Sequence, residues 1–283
     1  MSLPTMSRQR PLTADSGRIL VEEQVAGFLC RGRQLRPRVR ELVVAVKDFA
    51  YATGKEIFDR SYRFDVPGVS PLVYLGYPDG ASPTADELRE LRKQGKTSFA
   101  ILAEARPDGE PLVHAKQLAI EEVVRLGLGL CDTMIGWIER RGSASVGLRP
   151  ETVYVAGEHG NRFYAGATPR VCAMIGGGND AFPSAYYGAP LAASSLEIDR
   201  EDAAFVVALV LWFAATREDA YRNLQYIEHP RAPFAGRPEL GEVLSAALSL
   251  DDRTSVQQLR DGLARLAQTW SVEPPPFPPP DLA

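Results

Sequence analysis

Cysteine and histidine are scarce in these 283 residues, three of each. Cys30, Cys131 and Cys172 form no close pair, and an odd, dispersed set excludes a disulfide framework and points to a reducing compartment. His114, His159 and His229 fall at no metal-ligand spacing with those cysteines, so no metal is expected. Charge of one sign is lacking too: 32 Lys plus Arg stand against 36 Asp plus Glu, a net −4. That balance excludes a general attraction to nucleic acid or to anionic lipid. Lysine is rare, with five in all, at 47, 55, 93, 96 and 116. Long hydrophobic runs are missing as well. The longest, Ala203 to Ala215, has 13 residues, short of the roughly 20 that span a bilayer. Met1 to Arg10 has no apolar core of the signal-peptide kind. The expectation is a soluble, cytoplasmic chain that meets neither membrane nor nucleic acid.

What remains is ordinary globular composition, 45% hydrophobic and 24% charged, enough to bury a large core or two smaller ones. Residues 1–17 read as a flexible N-terminal tail. At the other end, residues 271–283 are a Pro-rich tail ending EPPPFPPPDLA, which favours extended polyproline II. Between them the character changes once. Glu41 to Phe49, Pro71 to Tyr77 and Ser98 to Glu104 have the β-branched, alternating look of strands bounded by Pro and Gly. Thr84, followed three residues later by Glu87, has the spacing of a capping box and opens a short helix running to Lys96. A turn at Pro107-Asp108-Gly109 then leads into helical patterning from Ala115 to Arg141. Two short strand-like runs, 152–155 and 161–164, flank a turn at Gly157 to Gly160. The run AAFVVALVLWFAA is apolar on every face and must be a buried helix. Pro238 to Trp270 reads as helix with a break at Leu250 to Arg253.

Several segments, in chain order, resemble motifs of the protein kinase family, in its bacterial Ser/Thr type. Val44-Ala45-Val46-Lys47 resembles the V-A-I-K strand whose lysine holds the ATP phosphates. Ser98 to Leu112 resembles the strand and hinge that face an adenine. Ser145 to Thr152 (SVGLRPET) is similar to the catalytic loop H-R-D-L-K-P-E-N. Asn161 to Ala167 stands where the strand into D-F-G belongs, and Gly188 to Leu191 looks like the end of the activation segment. Asp202 opens the apolar helix, and Asp251 to Ser255 resembles the D-x-R-x-S turn before the last helix. Lys47 to Gly147 spans 100 residues, Gly147 to Ala165 18, Leu191 to Asp202 11, and Asp202 to Arg253 51.

The resemblance implies an α+β, two-lobed kinase-like fold. Residues 18–105 would form a small β-rich N-lobe and residues 106–270 a larger helical C-lobe. A nucleotide would be held by Lys47 and by the backbone from Glu104 to Arg106. Other registers are open in the N-lobe. Gly17, Gly27 and Gly32 do not make G-x-G-x-x-G, and Thr53-Gly54-Lys55-Glu56 offers a rival alignment with Arg60 at the lysine position. Glu56 is the nearest match for the αC glutamate.

Phosphoryl transfer needs an acid to orient the acceptor and oxygen ligands for Mg²⁺. At the matching positions this chain has Gly147, Thr152 and Ala165, with Arg149 for the loop lysine. None is a carboxylate. Glu151, Glu158 and Asp180 are the nearest replacements, and Gly176 to Gly178 could cradle a phosphate or simply form a loop. Residues for scaffolding persist where residues for chemistry do not. The implied function is a pseudokinase without catalytic residues, cofactor or metal, binding a protein partner through the C-lobe or the activation-segment-like region 166–190. A nucleotide sensor and an atypical phosphotransferase are the alternatives.

Overall fold

The computed structural model describes residues 12–26, 29–50, 70, 72–80, 84–94, 97–106, 109–141, 148–150, 153–156, 162–164, 200–218, 234, 236–249 and 251–273. Gly147, Thr152, Ala165, the region 166–190, residues 53–60 and the Pro-rich end from 274 lie outside them. The chain is mixed α+β, and it divides into two units at Arg106–Pro107.

The first unit is a curled antiparallel sheet of six strands: β1 (Leu12–Ala14), β2 (Ile19–Ala26), β3 (Leu29–Gln34), β4 (Arg40–Ala50), β5 (Leu72–Gly76) and β6 (Thr97–Ala105). Their order across the sheet is β1-β2-β3-β4-β6-β5. Period-2 alternation selects one apolar face. Ile19 and Val21, Cys30, Leu42 and Val44, and Ile101 and Ala103 gather there with Ala14, all essentially without exposed surface. On the other side of β3, Arg31 and Arg33 reach Glu23 and Glu22 across the β2 ladder. Gly32, between them, has no room for a side chain: a Cβ there would stand 2.6 Å from Val44 Cγ2 and 2.8 Å from the Leu20 carbonyl oxygen.

The sheet starts earlier than the sequence suggests. Leu12–Ala14, inside the expected N-terminal tail, pairs with β2, and Asp15, Ser16 and Gly17 take positive φ in the turn between them. That turn is held from a distance. Both oxygens of Asp79 accept backbone N–H groups, Ser16 at 2.9 Å and Gly17 at 2.8 Å. The helix expected after Thr84 is α1 (Ala85–Lys93), and its capping box forms: Glu87 N–H donates to Thr84 Oγ1, and Thr84 N–H to Glu87 Oε2 at 2.7 Å.

Among its described residues the second unit has the helices α2 (Ile120–Arg141), α3 (Arg200–Thr216), α4 (Pro238–Leu248) and α5 (Val256–Trp270). It also has a small sheet of β7 (Glu110–Pro111), β8 (Tyr154–Ala156) and β9 (Arg162–Tyr164). The apolar run forms α3, and Ala203 to Leu211 are at most 4% exposed. Each Val, Leu or Phe buried in this way contributes about 1.5–3 kcal/mol. Gly127 on α2 permits the close approach of Leu263 from α5 and Leu211 from α3, whose methyls would lie within 2.8 Å of a Cβ. Helix α2 begins at Ile120 rather than at Ala115, because Ala119 N–H is taken by Glu122 Oε2 and Leu118 N–H by the carbonyl of Ala214. The break before α5 falls where expected. Ser255 caps it in a capping box with Gln258. Among the described residues no helix is long and apolar enough to cross a membrane.

Candidate functional site

The sequence reading concentrates on β4 and β6, and these two strands pair along their length. Lys47 stands opposite Ala100, Ala45 opposite Leu102, and Val43 opposite Glu104. Lys47 and Val43 have the same register parity, so Lys47, Val43 and Glu104 occupy positions on one sheet face, the face turned from the apolar cluster. Four residues of strand separate the Lys47 and Glu104 levels, roughly 13 Å.

Glu104 is 0% exposed, the only buried acid among the described residues. A carboxylate withdrawn from water is costly unless its oxygens are compensated. Strand β6 is internal, with β4 on one side and β5 on the other, and Glu104 faces Val43 across one ladder and Leu72 across the other. The sequence singled out Glu104 for its backbone. Its buried side chain is the more unusual feature, and no local pattern announced it.

Arg106, two residues on, is tied twice to Glu41. Its N–H donates to the Glu41 carbonyl at 2.9 Å, and its guanidinium to Glu41 Oε2 at 2.5 Å. The backbone donor expected to face an adenine is therefore already engaged in strand pairing.

In the second unit, Arg149 is half-buried in a segment stitched to the chain before α2. Val153 N–H donates to the Arg149 carbonyl at 3.0 Å, Val113 N–H to that of Pro150 at 2.9 Å, and Leu112 N–H to that of Val153 at 2.7 Å. Arg217, just beyond α3, donates to the carbonyls of Leu112 and Val113. Leu148, Pro150 and Val153 are buried beneath. Among its described residues this segment carries a positive charge, a fixed backbone and no acid; Glu151 lies outside the described residues.

Nucleophilic chemistry finds little else. Among the described residues no group of three or more His, Cys, Asp or Glu could hold a metal ion. Burial pushes the Cys30 thiol up to about 11 and raises Cys131, which is fully enclosed, further still. Neither forms the thiolate a nucleophile requires near neutral pH.

No family model matches the chain, and no curated protein matches it.

Proposed function

We propose that this chain is a protein kinase-like domain that has lost phosphoryl transfer and works by binding a protein partner. The observation that carries the reading is the pairing of β4 with β6. It sets the strand bearing VAVK beside the strand that runs into the hinge-like segment, with Lys47 opposite Ala100 and Val43 opposite Glu104. A helix buried on every face in the second unit, and a capped last helix after Asp251-Asp252-Arg253, agree with the same reading.

Loss of chemistry is argued from residue types. Gly147, Thr152 and Ala165 supply no carboxylate where the family places its base and metal ligands. Removing one well-placed electrostatic group costs about 10²–10³ in rate, and removing all three takes away the metal site itself. The engaged amide of Arg106 favours a scaffold over a nucleotide sensor, since an adenine would have to compete with the Glu41 carbonyl for it.

The test is a thermal-shift titration with ATP and ADP, with and without Mg²⁺, run beside a radiolabelled phosphate-transfer assay. A ligand at 100 times its Kd stabilises by about 2.7 kcal/mol, which in a chain of this size is several degrees. No shift and no transfer is the expected result. A Mg²⁺-independent shift that Lys47→Met removes would establish the nucleotide sensor instead. Transfer that Lys47→Met abolishes would overturn the reading.

A further inference from the structure

The turn from β3 to β4, Leu35-Arg36-Pro37-Arg38-Val39-Arg40, is unlike the rest of the first unit's described surface. Val39 is 76% exposed and Leu35 40%, the two large hydrophobic side chains left open among the described residues. Arg36, Arg38 and Arg40 are exposed beside them. The neighbouring arginines are neutralised: Arg31 by Glu23, Arg33 by Glu22, Arg106 by Glu41 and Arg18 by Asp15. No described acid pairs with Arg36, Arg38 or Arg40. The flanks of the hairpin are thus charge-balanced and its tip is not, in a chain whose net charge is −4.

The tip is also held in shape. Leu35 N–H donates to the Arg18 carbonyl at 2.7 Å, and Gln34 Nε2 to the Arg36 carbonyl at 2.9 Å. Pro37 fixes its own φ. An ordered loop loses less entropy when something binds it.

We propose that residues 35–40 dock an acidic, aliphatic-containing segment of a partner protein. Three cations call for an anion, and two open aliphatic side chains call for apolar contact between the charges. Arginine is enriched at the cores of protein interfaces. A single-stranded nucleic acid would be met by stacking aromatics, and none lies between Leu29 and Arg40. Screening limits the loop's field to about 8–10 Å at physiological salt, a reach matched to a narrow segment laid along the three arginines. This goes beyond the scaffold reading and stands apart from it: phosphate transfer, if detected, would end that reading and leave the loop's binding untouched.

The experiment uses the full chain and fluorescence anisotropy with a labelled Glu-rich peptide carrying leucines, the same peptide with serine for leucine, and a short DNA duplex. Sedimentation with vesicles of equal parts phosphatidylserine and phosphatidylcholine completes the set. Wild type should bind the leucine peptide best and release it between about 0.1 and 1 M salt, as the Debye length falls from about 10 to about 3 Å. Arg36→Glu/Arg38→Glu/Arg40→Glu should weaken that binding about tenfold or more. Leu35→Ser/Val39→Ser should remove the preference for leucine over serine and keep the salt dependence. Circular dichroism verifies folding, and the corresponding Arg→Gln triple replaces the reversal if that variant fails to fold. No peptide binding, binding indifferent to both variants, or tighter binding to duplex or vesicles would each overturn the proposal.

Discussion

The guanidinium of Arg217 holds the carbonyl oxygen of Leu112 at 2.7 Å across 105 positions of chain. Its other arm donates to the Val113 carbonyl at 2.6 Å, and its charge lies 4.4 Å from the centre of the Phe213 ring. Arg217 follows α3 with φ 62°, the left-handed turn that ends many helices. The side chain thus joins the end of the buried helix to the segment that also binds Val153 and Pro150. Nearby, Gln117 Nε2 donates to the Ala215 carbonyl at 2.5 Å, closing the same junction.

Arg217→Ala should therefore destabilise the chain by about 2–3 kcal/mol, the range for part-buried hydrogen bonds to a charged group. Arg217→Gly loses the same bonds while relieving the positive φ, so it should be the milder change by roughly 1 kcal/mol. Urea denaturation monitored by tryptophan fluorescence checks both. Equal stability of wild type and Arg217→Ala would mean that the junction is held by packing alone.

Gly32→Ala probes the close approach of β2, β3 and β4. The new methyl would meet Val44 Cγ2, which can turn, and the Leu20 carbonyl oxygen, which belongs to the ladder and cannot. Overpacking of this kind costs about 1–3 kcal/mol, more than alanine regains in backbone entropy. The contrast is Gly80→Ala, where nothing lies within 4 Å but φ is +78°, so strain alone acts. Thermal melts should rank Gly32→Ala below Gly80→Ala; the reverse order would show that the three strands part easily.

Legibility in the sequence tracked locality. A helix apolar on all faces, a break between two helices and a capping box between Thr84 and Glu87 are written within a few residues, and the fold has each of them. The sequence does not announce strands β2 and β3, because their open faces carry Glu22, Glu23, Arg31 and Arg33, whose cross-strand pairing becomes visible only once the register is known. Leu12–Ala14 looked like tail for a similar reason, since the carboxylate that fixes its turn, Asp79, is more than sixty residues away. Strands β4 and β6, which carry the candidate residues, could be read from their alternation. The burial of Glu104 and the engagement of the Arg106 amide could not, because both depend on strands brought in from elsewhere.

The buried thiols give a chemical check on the packing. A thiol near 11 is about one part in a thousand thiolate at pH 8, and Cys131 less. Labelling of the native chain with Ellman's reagent at pH 8 should consume at most one thiol per molecule within minutes, and three after denaturation. Rapid loss of two or more would show that α2 or the sheet opens readily. Because both thiols titrate above their unfolded value of about 8.5, the stability tied to them is full at neutral pH and is lost as pH rises past that value.

Asp79 works in the opposite direction. Desolvation raises its carboxyl, but hydrogen bonds from the Thr13 side chain and from the Ser16 and Gly17 amides together outweigh this and hold it below its ordinary value of 3.8. A group depressed in the folded state stabilises above its unfolded pKa and ceases to do so as pH falls through the folded one. Wild type should therefore be more stable than Asp79→Asn at pH 6, with the gap closing below about pH 4. Urea midpoints for the two proteins across pH 3 to 7 make the comparison. A gap that persisted undiminished at pH 3 would mean that asparagine fails there for lack of shape rather than charge. The Asp79 N–H bond to the Thr13 carbonyl, at 2.8 Å, is common to both proteins and would not account for such a gap.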